Sequence, residues 1–377
     1  MSTAFVQTLA RPGVLPLPPY NAGLSSEAVR ARYGVADIVR LASNENPYGA
    51  SPAVASALHD IVAHAGIYPD AASTALRDAI ASRNATTPAH VVVGNGSEDI
   101  LQMLCLAFLE PGEQVVTQRP TFGLHEIYPR MMGATVETLA LTASFEFDVE
   151  AWCAALARGP KMAMLANPSN PVGCMFDAEN FARLLAAAPP GMLWVIDEAY
   201  YEYARHAPGF PDALAMLRQH AQPWIVLRTF SKAWGLAGLR VGYGLASSPE
   251  LVQLLDRVRT PFNVNCVAQQ AALVAWGDPD FMERAVADTI AQRDALASRI
   301  RVMALPRVRI APSVANFLFI DLARPNGPVT EALLARGIIV KPWKEMGFET
   351  FIRVSVGTAQ GNERFAEALE SIYRSGA

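Results

Sequence analysis

Lys232 stands in Thr229-Phe230-Ser231-Lys232-Ala233, directly behind the apolar run Ile225–Thr229. An amine held between a hydroxyl and an aromatic ring at a strand end can be desolvated, which makes it nucleophilic; an isolated lysine there could equally be solvated. Asp197 follows the run Met192–Ile196. A carboxylate at the end of a buried strand needs a cation or a ligand N–H, unless it merely caps a helix. Behind Met162–Leu165 comes Asn167-Pro168-Ser169-Asn170-Pro171-Val172-Gly173, a rigid turn whose amides could also position a ligand oxygen. Behind His90–Val93 comes Gly94-Asn95-Gly96-Ser97, then Glu98-Asp99. There glycine permits a tight turn, Ser97 can cap, and the free N–H groups of the helix start can take an anion. Each turn has a plain structural explanation, but four coincide at strand ends. Together they offer an anion cradle, an acid for a ring nitrogen, amide and phenol donors for a ring oxygen, and an amine for a Schiff base. Pyridoxal phosphate asks for that set. A dinucleotide fingerprint fails, because Asp99 occupies the place of its third glycine.

These residues must be placed by a scaffold, and the chain is long enough for one. Its 377 residues, 51% hydrophobic and 18% charged, predict about two domains with a sizeable core. A net charge of −4 provides no bulk field for nucleic acid or anionic lipid. Cys105, Cys153, Cys174 and Cys266 have no CxxC spacing, and the histidines form no HExxH, so core cysteines and no metal are expected. No membrane span and no signal segment are read, so a cytoplasmic protein is expected, with no nucleic acid or membrane partner. Short β-rich runs alternate with helical patterns such as Glu98–Leu109 and Phe181–Ala187. That alternation predicts a mostly parallel sheet covered on both faces. The prolines at 12, 16, 18 and 19 predict an extended arm, followed by a helix from Ser25 towards Tyr33. Residues 250–280 read as long amphipathic helix, and Gln114–Thr117, Asn316–Asp321 and Phe351–Val356 as further strands.

With these residues in view, the chain resembles the fold-type-I pyridoxal-phosphate aminotransferases, and within them the histidinol-phosphate aminotransferases. The resemblance runs from Pro19-Tyr20 through Ser43-Asn44-Glu45-Asn46-Pro47, Tyr68-Pro69-Asp70, NPSNPVG, DEAY, SKAWGLAGLR and Pro261-Phe262-Asn263-Val264-Asn265 to Ile352-Arg353-Val354-Ser355-Val356-Gly357-Thr358. It implies an α/β fold of the aspartate-aminotransferase type. A large cofactor domain over 41–254 would be joined by a smaller α/β domain over 255–377, with an N-terminal arm, 1–40, packed on the smaller one. Lys232 would carry the cofactor and shuttle a proton, Asp197 would pair with the pyridine nitrogen, and Asn170 and Tyr200 would bond the ring oxygen. Phe122 would stack on the ring. Gly96, Ser97 and Glu98 would present N–H groups to the phosphate, joined by Ser231 and Arg240. Tyr68 would reach the neighbouring subunit's cofactor, implying a homodimer with shared sites. Tyr20, Lys341 and Arg353 would bind substrate. Lys341 stands where many relatives have arginine, Val172 where threonine is common, Ile67 where arginine is frequent, and Glu98-Asp99 reverses the usual acidic order.

The reaction the resemblance implies is transfer of the amino group of L-histidinol phosphate to 2-oxoglutarate, in histidine biosynthesis. An aminotransferase for aromatic amino acids would suit Trp343 and Phe122, and a decarboxylase of a phosphorylated amino acid would share most cofactor residues. A regulator built on this fold would need a basic DNA-binding module, for which under two dozen residues remain. A nicotinamide dehydrogenase is disfavoured by the missing glycine.

Overall fold

The computed structural model describes residues 7–18, 23–62 and 66–375. Among them the strands are Val39–Leu41 (β1), Val91–Gly94 (β2), Gln114–Arg119 (β3), Thr135–Ala140 (β4), Met162–Ala166 (β5), Leu193–Asp197 (β6), Trp224–Thr229 (β7), Gly242–Ala246 (β8), Arg309–Ile310 (β9), Phe317–Asp321 (β10), Ile338–Pro342 (β11) and Phe351–Ser355 (β12). Seven form one sheet in the order β2-β8-β7-β6-β5-β3-β4, and five form a second, β1-β11-β12-β10-β9. In the larger sheet β4, β3, β5, β6 and β7 run parallel, and β8 alone is antiparallel to both its neighbours.

The period of two explains why this sheet sits inside. Met162, Met164, Leu193, Val195, Ile225 and Leu227 join an apolar cluster on one face. Ala163, Leu165, Trp194, Ile196 and Val226 join another on the opposite face. Every residue of β5, β6 and β7 is buried, as a parallel sheet covered on both sides requires. Strands of uninterrupted apolar residues therefore end at a rim where polar residues first appear. Cys105 and Cys174 are buried, and burial pushes each thiol up to about 12.

The smaller sheet has its own core, including Leu318, Ile320, Ile352, Val354 and Phe365. Its edge strand β1 comes from the chain's beginning and pairs in parallel with β11, Leu41 opposite Val340. Residues 42–50 then run from the second sheet past the loop that follows β7, where Asn46 Nδ2 donates to Ala233 O, into helix Pro52–Val62.

Two expectations change. The stretch 250–280 is not one helix but parts of three, Pro249–Val258, Cys266–Trp276 and Pro279–Val302, because Pro261, Gly277 and Pro279 interrupt it. Ala268, Ala271 and Ala272 of Cys266–Trp276 join a cluster that takes in Trp194 and Val226 of the larger sheet as well as Phe317 and Phe319 of the smaller one. Residues 12–16 form turns rather than an extended arm, with Val14 N–H donating to Arg11 O (2.9 Å); Gly13 and the spaced prolines suit turns. Strands β1, β4, β8 and β9 were not legible as runs, being short, half-exposed or glycine-bearing, and the apolar run of β11 was not singled out.

Candidate active site

A cavity of about 160 Å³ opens at the carboxyl ends of β5, β6 and β7. Its walls include Asp197, Asn170, Tyr200, Phe122, Ser231, Lys232, Arg240, Ser97 and Glu98. Beside it lies a cleft of about 1020 Å³, with Phe122, Asn170, Tyr200 and Lys232 common to both.

Asp197 is the last residue of β6 and is buried. Two residues beyond Val195, it faces the side on which helix Leu124–Met131 packs, and His125 of that helix is fully buried against it. His125 Nε2 lies 3.1 Å from Asp197 Oδ2, and Thr121 Oγ1 lies 3.2 Å from His125 Nδ1. An ionised carboxylate only accepts, so Nε2–H donates to it. The other oxygen, Oδ1, accepts from Ala199 N–H at 3.0 Å, a local turn and not a helix cap, since the following helix, Tyr201–Ala204, has Tyr200 at its N-cap. The next carboxylate, Glu198, turns away into a buried pair with Arg228 at 2.8 Å.

Lys232 follows β7, and its Nζ donates to Ser43 O at 2.9 Å. Burial, with the Arg353 charge adding to it, lowers its pKa to about 8 despite opposing pulls from Glu45 and Asp197. An amine so placed is available in its neutral form near neutral pH. The chain from 42 to 46 organises this corner. Arg353 Nη2 donates to Ala42 O (2.6 Å), Asn316 Nδ2 to Asn44 O (3.0 Å) and Asn46 Nδ2 to Ala233 O (2.8 Å). Asn44, at a positive φ of 56°, donates through Nδ2 to Tyr200 Oη at 2.9 Å and through its backbone N–H to Ser355 Oγ at 2.7 Å.

The opposite end of the cavity suits an anion. Helix Ser97–Phe108 begins after Gly96, whose φ is 84°, and no side chain caps its first N–H groups. Ser97 is thus the first helical residue and not the cap. A Cβ on Gly96 would collide with the Arg240 guanidinium, so glycine lets the cation approach the helix start. Arg240 Nη1 lies 3.3 Å from Ser231 Oγ, which accepts, and Nη2 lies 3.2 Å from Glu98 Oε1. Uncapped N–H groups, a hydroxyl and a guanidinium make an anion-binding end.

In the cleft, Lys341 of β11 stands opposite Arg353 of β12 in the sheet register. Arg353 Nη1 donates to Asn170 Oδ1 at 2.6 Å. Burial first, then Arg353 and Lys344, lower the Lys341 pKa to about 8. Trp343 Nε1 donates to Glu345 Oε2 (3.0 Å), and Arg119 Nε donates to Glu345 Oε1 (2.9 Å). Pro16, Leu17 and Pro18 of the arm line the same cleft.

Two residues stand apart. Tyr68 lines neither cavity; it is 78% exposed and stacks on Phe262 at 4.5 Å. Tyr20 lies outside the described residues. Three residues that the chemistry of the turns did not single out belong to the site. His125 and Glu345 are recognisable only once tertiary contacts are known. Asn44, quoted above only within a motif, carries one sequence signal, since asparagine tolerates positive φ.

The donor set fits pyridoxal phosphate: a buried carboxylate, an amine, amide and phenol groups, and an anion end that a Cβ would fill. Comparison with known proteins agrees. The family model described as aminotransferase class I and II matches residues 36–369. Histidinol-phosphate aminotransferase 3 of Rhizobium meliloti (strain 1021) is 44% identical over 356 residues, covering 94% of this chain and 95% of that protein. The crystal structure of histidinol-phosphate aminotransferase from Sinorhizobium meliloti in complex with pyridoxal-5'-phosphate is 28% identical. It superposes with a TM-score of 0.87 over 97% of this chain and 98% of that one. A double mutant of Thermus thermophilus aspartate aminotransferase, 23% identical, shares the fold with a TM-score of 0.80 over 97% of this chain and 99% of its own.

Proposed function

This chain belongs to the class I and II aminotransferases, and on that footing we propose that it transfers the amino group of L-histidinol phosphate to 2-oxoglutarate, a step of histidine biosynthesis. It works with pyridoxal phosphate, as a cytoplasmic homodimer. The observation that carries the donor assignment is the Lys341–Arg353 register pair on one wall of the cleft. Burial and the Arg353 charge lower the Lys341 pKa, and a phosphate dianion between the two cations relieves that repulsion. The 44% identity to a histidinol-phosphate aminotransferase supports the same donor.

When bound, pyridoxal phosphate supplies an aldehyde to receive the amino group and a protonated ring to withdraw electrons. The chain's own groups do the rest. Arg240, Ser231 and the N–H groups of Gly96, Ser97 and Glu98 hold the phosphate, and Phe122 covers the ring. Asp197, steadied by its contact with His125 Nε2, holds a proton on the pyridine nitrogen. Asn170 and Tyr200 donate to the ring oxygen, while Asn170 also orients Arg353. Lys232, whose pKa burial lowers to about 8, takes the proton from the donor's Cα. Arg353 and Lys341 hold the donor's phosphate, and Tyr20 would join them.

Half-reactions of the purified enzyme test this reading. Histidinol phosphate, glutamate, phenylalanine and tyrosine are added singly while the absorbance of the bound cofactor is followed. Conversion with histidinol phosphate at a kcat/KM well above that with phenylalanine or tyrosine is expected. The reverse order would assign an aromatic aminotransferase, the reading that Trp343 and Phe122 favour.

A further inference from the structure

We propose that Glu345 is a positioning residue that sets Trp343 as the wall against which the ring of a donor packs, and so shapes which donors the cleft prefers. The inference rests on the aminotransferase reading above and deepens it with groups to which that reading gives no role.

Trp343 lies two residues beyond Lys341, and its backbone N–H donates to Phe351 O at 2.9 Å, continuing the β11–β12 ladder. Side chains two apart on such a ladder share a face, and both residues line the cleft. The indole meets Phe319 edge-on at 5.8 Å and 86°. Arg353 Cζ lies 6.0 Å from the indole centroid. An anionic group held by Arg353 therefore brings the rest of its molecule beside this ring.

The indole is not free to turn. Its N–H is held by Glu345 Oε2 at 3.0 Å, while Oε1 of the same carboxylate accepts from Arg119 Nε at 2.9 Å. Arg119 Nη2 also donates to Met346 O at 2.6 Å. Arg119 ends β3 of the larger sheet, three residues before Phe122. One half-buried carboxylate thus ties the aromatic wall carried by the smaller sheet to the end of β3. Burial, with the charge of Glu126 nearby, raises the Glu345 pKa, while Trp343 and Arg119 oppose the shift. A tryptophan fixed before the ligand arrives loses less freedom on stacking, so ring-bearing ligands gain and ringless ones do not.

The test is titration calorimetry of the holoenzyme with two unreactive carboxylates, 3-phenylpropionate, which has a ring, and glutarate, which has none. Glu345→Gln and Trp343→Phe should each weaken 3-phenylpropionate by about two- to tenfold, and Trp343→Ala by at least as much. Glutarate should shift less than twofold in all three. The kinetic counterpart is a raised KM for ring donors with a smaller change in kcat. Equal weakening of both ligands would reduce Glu345 to a structural tie and overturn the proposal. So would wild-type affinity for 3-phenylpropionate in Trp343→Ala, or no affinity for it in the wild type. Trp343→Phe keeps the test open should Glu345→Gln fold poorly. Which donor the wild type prefers is read in the half-reactions, so a wrong donor assignment there does not touch this result.

Discussion

Substituting Lys341 separates the phosphate from the rest of the donor. Lys341→Ala should lower kcat/KM for histidinol phosphate roughly ten- to a hundredfold, since a charge-assisted contact is worth about 1.5–3 kcal/mol. The loss with glutamate should be much smaller; equal losses would mean that Lys341 holds no phosphate. The sign of its pH dependence follows from the lowered pKa. Only the ammonium attracts phosphate, and it is lost as pH rises through about 8 in the free enzyme. In wild type, kcat/KM for histidinol phosphate should therefore fall on the alkaline side of about 8, and Lys341→Arg should move that limb upward. Asp197→Asn removes the carboxylate that His125 steadies and should cost orders of magnitude in turnover, with a smaller loss of cofactor affinity. Activity within about threefold of wild type, ~0.7 kcal/mol, would hand its role to another group. At this scale the sequence was legible where residue type and strand end coincided, as at Lys232, Asp197 and Asn170. His125 and Glu345 were opaque because their partners, Asp197 and Arg119, are 72 and 226 residues away.

The elements that hold these residues meet along one seam. Gly235, at φ 73°, lets the loop of Lys232 press against the backbone of Gly49 and Ala50, where any Cβ would collide. Gly235→Ala combines that collision with a left-handed conformation and should destabilise by about 2–4 kcal/mol. Thermal unfolding with and without cofactor would measure it, and an unchanged Tm would show that the loop can shift. Such a contact lies outside what periodicity reveals. The apolar runs of β5, β6 and β7 announced themselves because both their faces are buried. By contrast β1, three residues long, is a strand only because β11 is there to pair with it. The helices after residue 249 were read as one because the amphipathic pattern persists across the breaks at Pro261 and Pro279.

For the molecule as a whole, Ile67 at 71% and Tyr68 at 78% exposure, with Phe262 stacked on Tyr68, form an apolar surface in a single chain. A second copy is the partner that the proposed function assigns to it. The active species should sediment as a dimer, and Tyr68→Ala should weaken cofactor binding; a fully active monomer at assay concentration would refute the shared site. The two cavities have a different kind of consequence. They share four lining residues, Phe122, Asn170, Tyr200 and Lys232, while the arm and residues 341–345 border the outer cleft alone. Substitutions there replace no residue that lines the inner cavity. A duplicated gene could therefore accumulate changes along the outer rim and inherit intact chemistry at every step, so that lineages drift between amino donors without passing through a dead enzyme.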